Sequence, residues 1–114
     1  MSNRNDKLLL EDILEASSKI LDYTVNMNLD SFFNDEKTKD AVARNFEIIG
    51  EASNRISESV KKKNQDIDWI RLRGFRNRIV HDYFGVDFTI VWSIIENNLE
   101  ELNDKVKQIL SNFK

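Results

Sequence analysis

Three features of this sequence predict an all-α fold, an antiparallel up-and-down helical bundle of four main helices. The chain has 114 residues with no proline and only three glycines, so residues that break helices are scarce. No run sustains the period-2 alternation of a half-buried strand. Three long segments instead repeat apolar residues at spacings of three and four, which lays one apolar stripe along each helix. None of these stripes can be buried alone, and an antiparallel bundle buries them together. The length predicts one domain over residues 1–114.

The elements follow from local chemistry. In the first, Leu9, Ile13, Ala16, Ile20 and Tyr23 form the stripe, Asn5 or Asp6 can cap it, and it should run to about Val25. The stretch "NMNLDSFFND" is a break, with a short turn around Phe32 and Phe33. Asn34 or Asp35 can cap the second helix, whose stripe is Val42, Phe46, Ile49, Ser53, Ile56 and Val60. That helix should end in Lys61, Lys62 and Lys63, cations that suit a helix C-terminus. Asn64 and Gln65 form the connection. Asp66 is the expected cap of the third helix, with Asp68 in its first turn. Gly85 marks the next turn, and Asp87 can cap a fourth helix from Phe88 to about Leu110. Its stripe is Ile95, Leu99, Leu102, Val106, Ile109 and Phe113.

Composition excludes several classes. There is no cysteine and only one histidine, so disulfides and structural zinc are not expected. These counts leave carboxylate sites for magnesium open. No apolar run reaches the ~18 residues of a membrane span. "MSNRNDKLLL" lacks the long apolar core of a signal peptide, so the expected location is cytoplasmic, with no membrane partner. The net charge of −3 is not that of a general nucleic-acid binder. Residues 61–81, however, carry a net +5 and the rest of the chain −8. A basic island on an acidic body can attract a polyanion locally; a solvated helix face would look the same.

The third helix separates two faces. At about 100° per residue, Leu72, Phe75 and Ile79 share the face that should pack into the bundle. Ile70, Gly74, Asn77 and His81 share the opposite one. Arg73 and Arg76 flank that outer stripe on one side, Arg71 and Arg78 on the other. A helical glycine is ~1 kcal/mol worse than alanine, and Gly74 lies away from the core. Close approach of a second chain or a ligand would explain it, as would simple tolerance on a solvent face.

The stretch "RNRIVHDYFGVD" gathers the single imidazole with two guanidiniums and a phenol. Imidazole titrates near neutral pH, which suits proton transfer. Guanidinium offers a permanently charged fork to phosphate. These groups suffice to cleave RNA without metal: a base takes the ribose 2′-hydroxyl proton, and a cation stabilises the charged phosphorus. Arg76 and His81 lie five steps apart, about 140° around a helix. One helix therefore does not aim both at one point unless it ends or bends near His81. Two copies crossing at a dimer could combine them.

The run from Arg76 through His81 to Tyr83 resembles the arginine–four residues–histidine–any–tyrosine motif of HepT-type toxins in the HEPN superfamily. "DEKTKDAVARNFEIIGEASNRIS" is similar to the family's second helix, and "YFGVDFTIVWSII" to its junction into the last helix. The resemblance covers nearly the whole chain. One departure is Asp68 before Trp69, where relatives often carry proline; it touches the start of the third helix and not the motif.

The resemblance implies an all-α, HEPN-like bundle that dimerises with the motif helices at the cleft. It implies a ribonuclease toxin that needs no metal, with Arg76 and His81 as the catalytic pair. Beside them, Asn77 can orient His81 or bind a phosphate oxygen, and Arg78 and Arg73 can hold flanking RNA phosphates. The implied partner is an MntA-type nucleotidyltransferase antitoxin, which uses ATP and magnesium to place AMP on the motif tyrosine, here Tyr83. Assembly beyond the homodimer would involve that antitoxin. No cofactor is implied for RNA cleavage itself. The rival within the superfamily is a non-catalytic substrate-binding or scaffold subunit of a nucleotidyltransferase, and outside it a helical oligomerisation protein. Trp69 and Trp92 should anchor packing rather than stack bases. Glu47 and Glu51 should be solvated or face arginines, and Gly50 should permit close helix contact.

Overall fold

The computed structural model describes residues 5–113 apart from 82–86, and at residues 76–81 it describes the backbone alone. Every regular element among the described residues is helical. Helix α1 is Asp6–Thr24, α2 is Leu29–Phe33, α3 is Glu36–Arg55, α4 is Glu58–Lys63 and α5 is Trp69–His81. The last long helix begins as α6, Phe88–Ile94, passes through a π-helical turn at Ile95–Leu99, and continues as α7, Glu100–Ser111.

The caps are those of short polar side chains. Asn5 accepts from the Leu8 N–H at 2.9 Å and starts α1. Asn26, just past its end, has φ 64°, a left-handed position that asparagine tolerates better than most residues. Asn28 and Ser31 form a reciprocal capping box on α2, so the expected turn at Phe32 and Phe33 is one short helix. Asp35 caps α3 by accepting from the Thr38 N–H at 3.0 Å and the Thr38 hydroxyl at 2.8 Å. Those bonds hold its carboxyl below the ordinary carboxylate range, the backbone bond first.

Two boundaries differ from the sequence reading. The second long helix stops at Arg55 rather than at the lysines, because Ile56 turns extended at φ −59°, ψ 139°. Ser57 then starts α4, its hydroxyl accepting from the Val60 N–H. The break is held from a distance: the Asp6 carboxylate accepts from the Ser57 N–H at 2.9 Å and from its hydroxyl at 2.7 Å. The third helix is capped by Asp68, which accepts from the Arg71 N–H at 3.0 Å, and not by Asp66. Lys105 engages Asp66 instead, donating to its carbonyl at 2.9 Å.

Packing is antiparallel in the order α5, α3, α1, last helix. The Asp6–Ser57 bonds set the start of α1 beside the end of α3. Phe32 packs on Phe88 and Trp92, with ring centroids 6.1 and 5.1 Å apart, setting the start of α6 against the element that follows α1. The core takes Leu9, Leu10, Ile13, Ile20, Val42, Phe46, Ile49, Leu99 and Val106. Trp69 and Trp92 are buried in it, as packing anchors. The first stripe shifts at its end: Tyr23 is exposed and Thr24 is buried, because the Thr24 hydroxyl donates to the Ile20 carbonyl at 2.8 Å and carries no polar group unpaired into the interior. One buried polar contact joins α1 to α7, where the Asn103 amide donates to the Ser17 and Ser18 hydroxyls at 2.9 Å each. No described helix is long and apolar enough to cross a membrane.

Candidate active site on the fifth helix

Helix α5 is fastened at its start and along one face. Asp68 caps it, Ile67 and Trp69 are buried, and the Trp69 indole donates to the Asn64 carbonyl at 3.1 Å. Leu72 enters the core, and Phe75 meets Phe46 edge to face at 5.1 Å between centroids. This is the inner face expected from the sequence, as far as the described side chains reach.

Among the described residues the outer face is free. Ile70 is 75% exposed. A Cβ built on Gly74 finds nothing within 4 Å, so the protomer itself gives no steric reason for the glycine. Arg71 and Arg73 are exposed, and neither side chain has a hydrogen-bond or ion-pair partner among the described residues. Two unpaired cations, an exposed isoleucine and a bare helix backbone share about one and a half turns.

The motif continues this helix. The backbone of α5 is helical through Arg76, Asn77 and Arg78 and ends on His81. The side chains of these four residues, and all of Tyr83, lie outside the described residues. The backbone alone fixes one relation: Arg76 and His81 are five helical steps apart, about 140° in rotation and ~7.5 Å in rise.

Beyond the motif, the start of α6 is clamped by a residue that sequence reasoning missed. Lys39 is only 8% exposed. Its ammonium donates to the Phe33 carbonyl at 3.0 Å and to Glu36 at 3.2 Å. It also lies 4.7 Å from the Phe33 ring centroid and 5.0 Å from that of Phe88, in range for cation–π attraction. The clamp ties the end of α2 to the first residue of α6, and the only local signal for it was Glu36 three residues earlier. Glu47 faces an arginine, accepting from Arg44 at 2.8 Å. Among the described residues no cluster of three histidine, aspartate or glutamate side chains is arranged to hold a metal ion.

Residues 13–109 match the family model described as "Ribonuclease HepT-like". The chain belongs to the HepT-like ribonuclease family. It is thus a ribonuclease by descent. It is similar to "Probable ribonuclease HepT" of Thermococcus cleftensis, with 36% identity over 93% of this chain and 96% of that one. It is also similar to "Putative RNase MJ1380" of Methanocaldococcus jannaschii, with 34% identity over 94% of this chain and 98% of the relative. A third relative from the same archaeon, "Gamma-glutamylcyclotransferase and putative RNase MJ0434", is 32% identical, and the match spans 47% of its length. No solved structure matches the chain.

Proposed function

We propose that this HepT-like chain is the toxin of a type VII toxin–antitoxin module, an endoribonuclease that cuts with a histidine and an arginine and needs no metal. The observation that carries the reading is the Arg76, His81 and Tyr83 spacing in the sequence, following a stretch of helix whose outer face at Ile70 and Gly74 its own chain leaves bare. The His81 imidazole takes the proton of a ribose 2′-hydroxyl. That oxygen attacks the adjacent phosphorus, the bond to the 5′-oxygen breaks, and the leaving oxygen recovers a proton. The products are a 2′,3′-cyclic phosphate and a 5′-hydroxyl end. Arg76 stabilises the negative charge that builds on the phosphoryl oxygens. Asn77 orients the imidazole from one turn earlier, and Arg73 and Arg78 hold flanking phosphates.

Because α5 ends on His81, the ~140° between Arg76 and His81 does not by itself require a second copy; the bare Gly74 and the exposed Ile70 favour one. In a two-fold dimer with α5 at the axis, the arginine of one protomer can stand beside the histidine of its partner. Gly74 then lets the two backbones approach. Control falls to a MntA-type nucleotidyltransferase antitoxin in the cytoplasm. With ATP and magnesium it joins the Tyr83 oxygen to the α-phosphorus of ATP and releases pyrophosphate. The AMP group competes with RNA phosphates for the arginines and blocks the cleft.

The test is RNA cleavage by purified, unmodified protein with EDTA present. Cleavage is expected, and His81→Ala and Arg76→Ala should each lower it by about a hundredfold or more while helicity is kept. An RNA carrying 2′-deoxyribose at the cut should be inert. Failure of the unmodified protein to cut any RNA would favour a non-catalytic subunit of a nucleotidyltransferase. Full activity of His81→Ala would make the histidine structural.

A further inference from the structure

The bundle is not equally closed on all sides. Helices α1 and α3, α3 and α5, and α1 and α7 pair closely, and among the described residues no comparable pairing joins α5 to the last helix. A groove of 120 Å³ lies along that seam. Its floor is apolar, with Leu72 and Phe75 from α5 and Leu99 from the π-helical turn; its rim includes Arg71 and Asn98. π-Helical turns recur where a helix must re-aim side chains for a function. Here the turn keeps Ile95 and Leu99 buried while Asn98 is exposed on the groove edge.

The polar rim is largely self-satisfied. Lys105 lies 3.7 Å from the Asp66 carboxylate and 3.8 Å from that of Glu101. The Asp68 carboxylate caps α5. That leaves Arg71 and Asn98, whose side chains have no hydrogen-bond or ion-pair partner among the described residues. An apolar floor with one neutral amide and one unpaired guanidinium at its edge fits a flat, neutral ring bearing polar edges, with a phosphate attached outside. The volume is close to the ~150 Å³ at which an apolar cavity accepts a single aromatic ring.

We infer that this groove is a subsite for one nucleobase of the RNA, and that it takes pyrimidines in preference to purines. The inference rests on the ribonuclease reading above and adds the substrate feature that the enzyme selects. The base lies against Phe75 and the leucines, the Asn98 amide pairs with its polar edge, and Arg71 holds the neighbouring phosphate. The position suits such a role. Arg71 lies five residues before Arg76 on the same helix, ~7.5 Å along its axis and about 140° around it, so the base read belongs to a nucleotide flanking the cut and not to the cut itself.

Two measurements test it, one with catalysis and one without. In the first, short RNAs differing in one base at successive positions around a single cut are compared by kcat/KM. A pyrimidine at one fixed position should be favoured by about tenfold, the effect of one hydrogen bond to a base edge that the wrong base leaves unmade. Asn98→Leu should reduce that ratio to about twofold, by lowering kcat/KM on RNAs with a pyrimidine there. In the second, cytidine or uridine 3′-monophosphate is titrated into the full-length protein and followed by NMR. The Asn98 side-chain amide should shift, and adenosine 3′-monophosphate should shift it less. An absence of shift with any nucleotide overturns the subsite. So does cleavage without base preference, or a preference that Asn98→Leu leaves intact. If Asn98→Leu instead changes the oligomeric state and no nucleotide shifts the amide, a second copy fills the groove and the proposal is wrong. A shift in a protein that cuts no RNA would keep the subsite and overturn the catalytic reading, so the two failures are distinguishable.

Discussion

Ser53 is the one polar member of the α3 stripe, and it sits in the core with 0% exposure. Its hydroxyl is the one fully buried side-chain polar atom without a hydrogen-bond partner among the described residues. Ser53→Ala should therefore stabilise the fold. Leaving a hydroxyl buried and unpaired costs ~1–3 kcal/mol, which the substitution recovers. Alanine is also the better helix former, by up to ~0.5 kcal/mol. Against this stands a void smaller than a methyl group, worth up to ~1 kcal/mol. The net expectation is a gain of ~1 kcal/mol, or about 4 °C in Tm for a chain of this size. Urea denaturation at fixed protein concentration measures it, with the m-value unchanged. A loss of ~1 kcal/mol or more would refute the reasoning, since it would mean that the hydroxyl makes a bond worth keeping.

Three other predictions use different parts of the molecule. Asp35 titrates below its ordinary 3.8 because of its bonds to Thr38, so the stability it contributes is full above that value and is lost as pH falls through its lowered pKa; Asp35→Asn should have a flatter acid limb in a series of urea midpoints from pH 6 to pH 2, and parallel limbs would sink the idea. Gly74→Leu should leave the protomer as stable or more so, because a Cβ there meets nothing within 4 Å and leucine favours helix, yet it should weaken the proposed dimer at least tenfold in Kd by analytical ultracentrifugation. Tyr83→Phe should stay nucleolytic but gain no AMP mass on incubation with the antitoxin, ATP and magnesium; an equal mass gain in wild type and variant would place the acceptor elsewhere.

What the sequence made legible was whatever short-range chemistry decides. The caps at Asn5, Asp35 and Asp87 are side chains bonding two or three residues ahead, and a window of four residues is enough to see them. The apolar stripes of α3 and the last helix are buried or half-buried along most of their length for the same reason. The errors share the opposite cause. The stripe Ile49, Ser53, Ile56, Val60 runs on at helical spacing across the break at Ile56, so periodicity saw one helix where there are two; the Asp6–Ser57 bonds that hold the break join residues 51 apart. Nothing local marks Asn103 and Lys39 as buried, because their burial depends on Ser17 and on Phe88, which only the tertiary fold brings near. The motif was legible through its spacing and its family. The way its groups combine was not, because spacing does not say whether the helix end at His81 or a second copy joins Arg76 and His81, which lie about 140° apart around the helix.

That last fact constrains the proposed dimer. Fully burying an isoleucine is worth ~1.5–3 kcal/mol, and Ile70 is already one-quarter covered. A two-fold interface uses it twice, which yields ~2–4.5 kcal/mol. Association costs at least ~4 kcal/mol in lost translational and rotational freedom, so the two isoleucines alone leave the dimer at best marginal. The remainder must come from backbone-close contact, and on the described outer face only Gly74 allows it. The glycine is thus the better place to break the dimer, and the isoleucine the poorer one. If Ile70→Ala proved more damaging to association than Gly74→Leu, the α5 helices would be meeting through their N-terminal turns. The motif ends would then lie apart, and the composite site built from Arg76 of one protomer and His81 of its partner could not form.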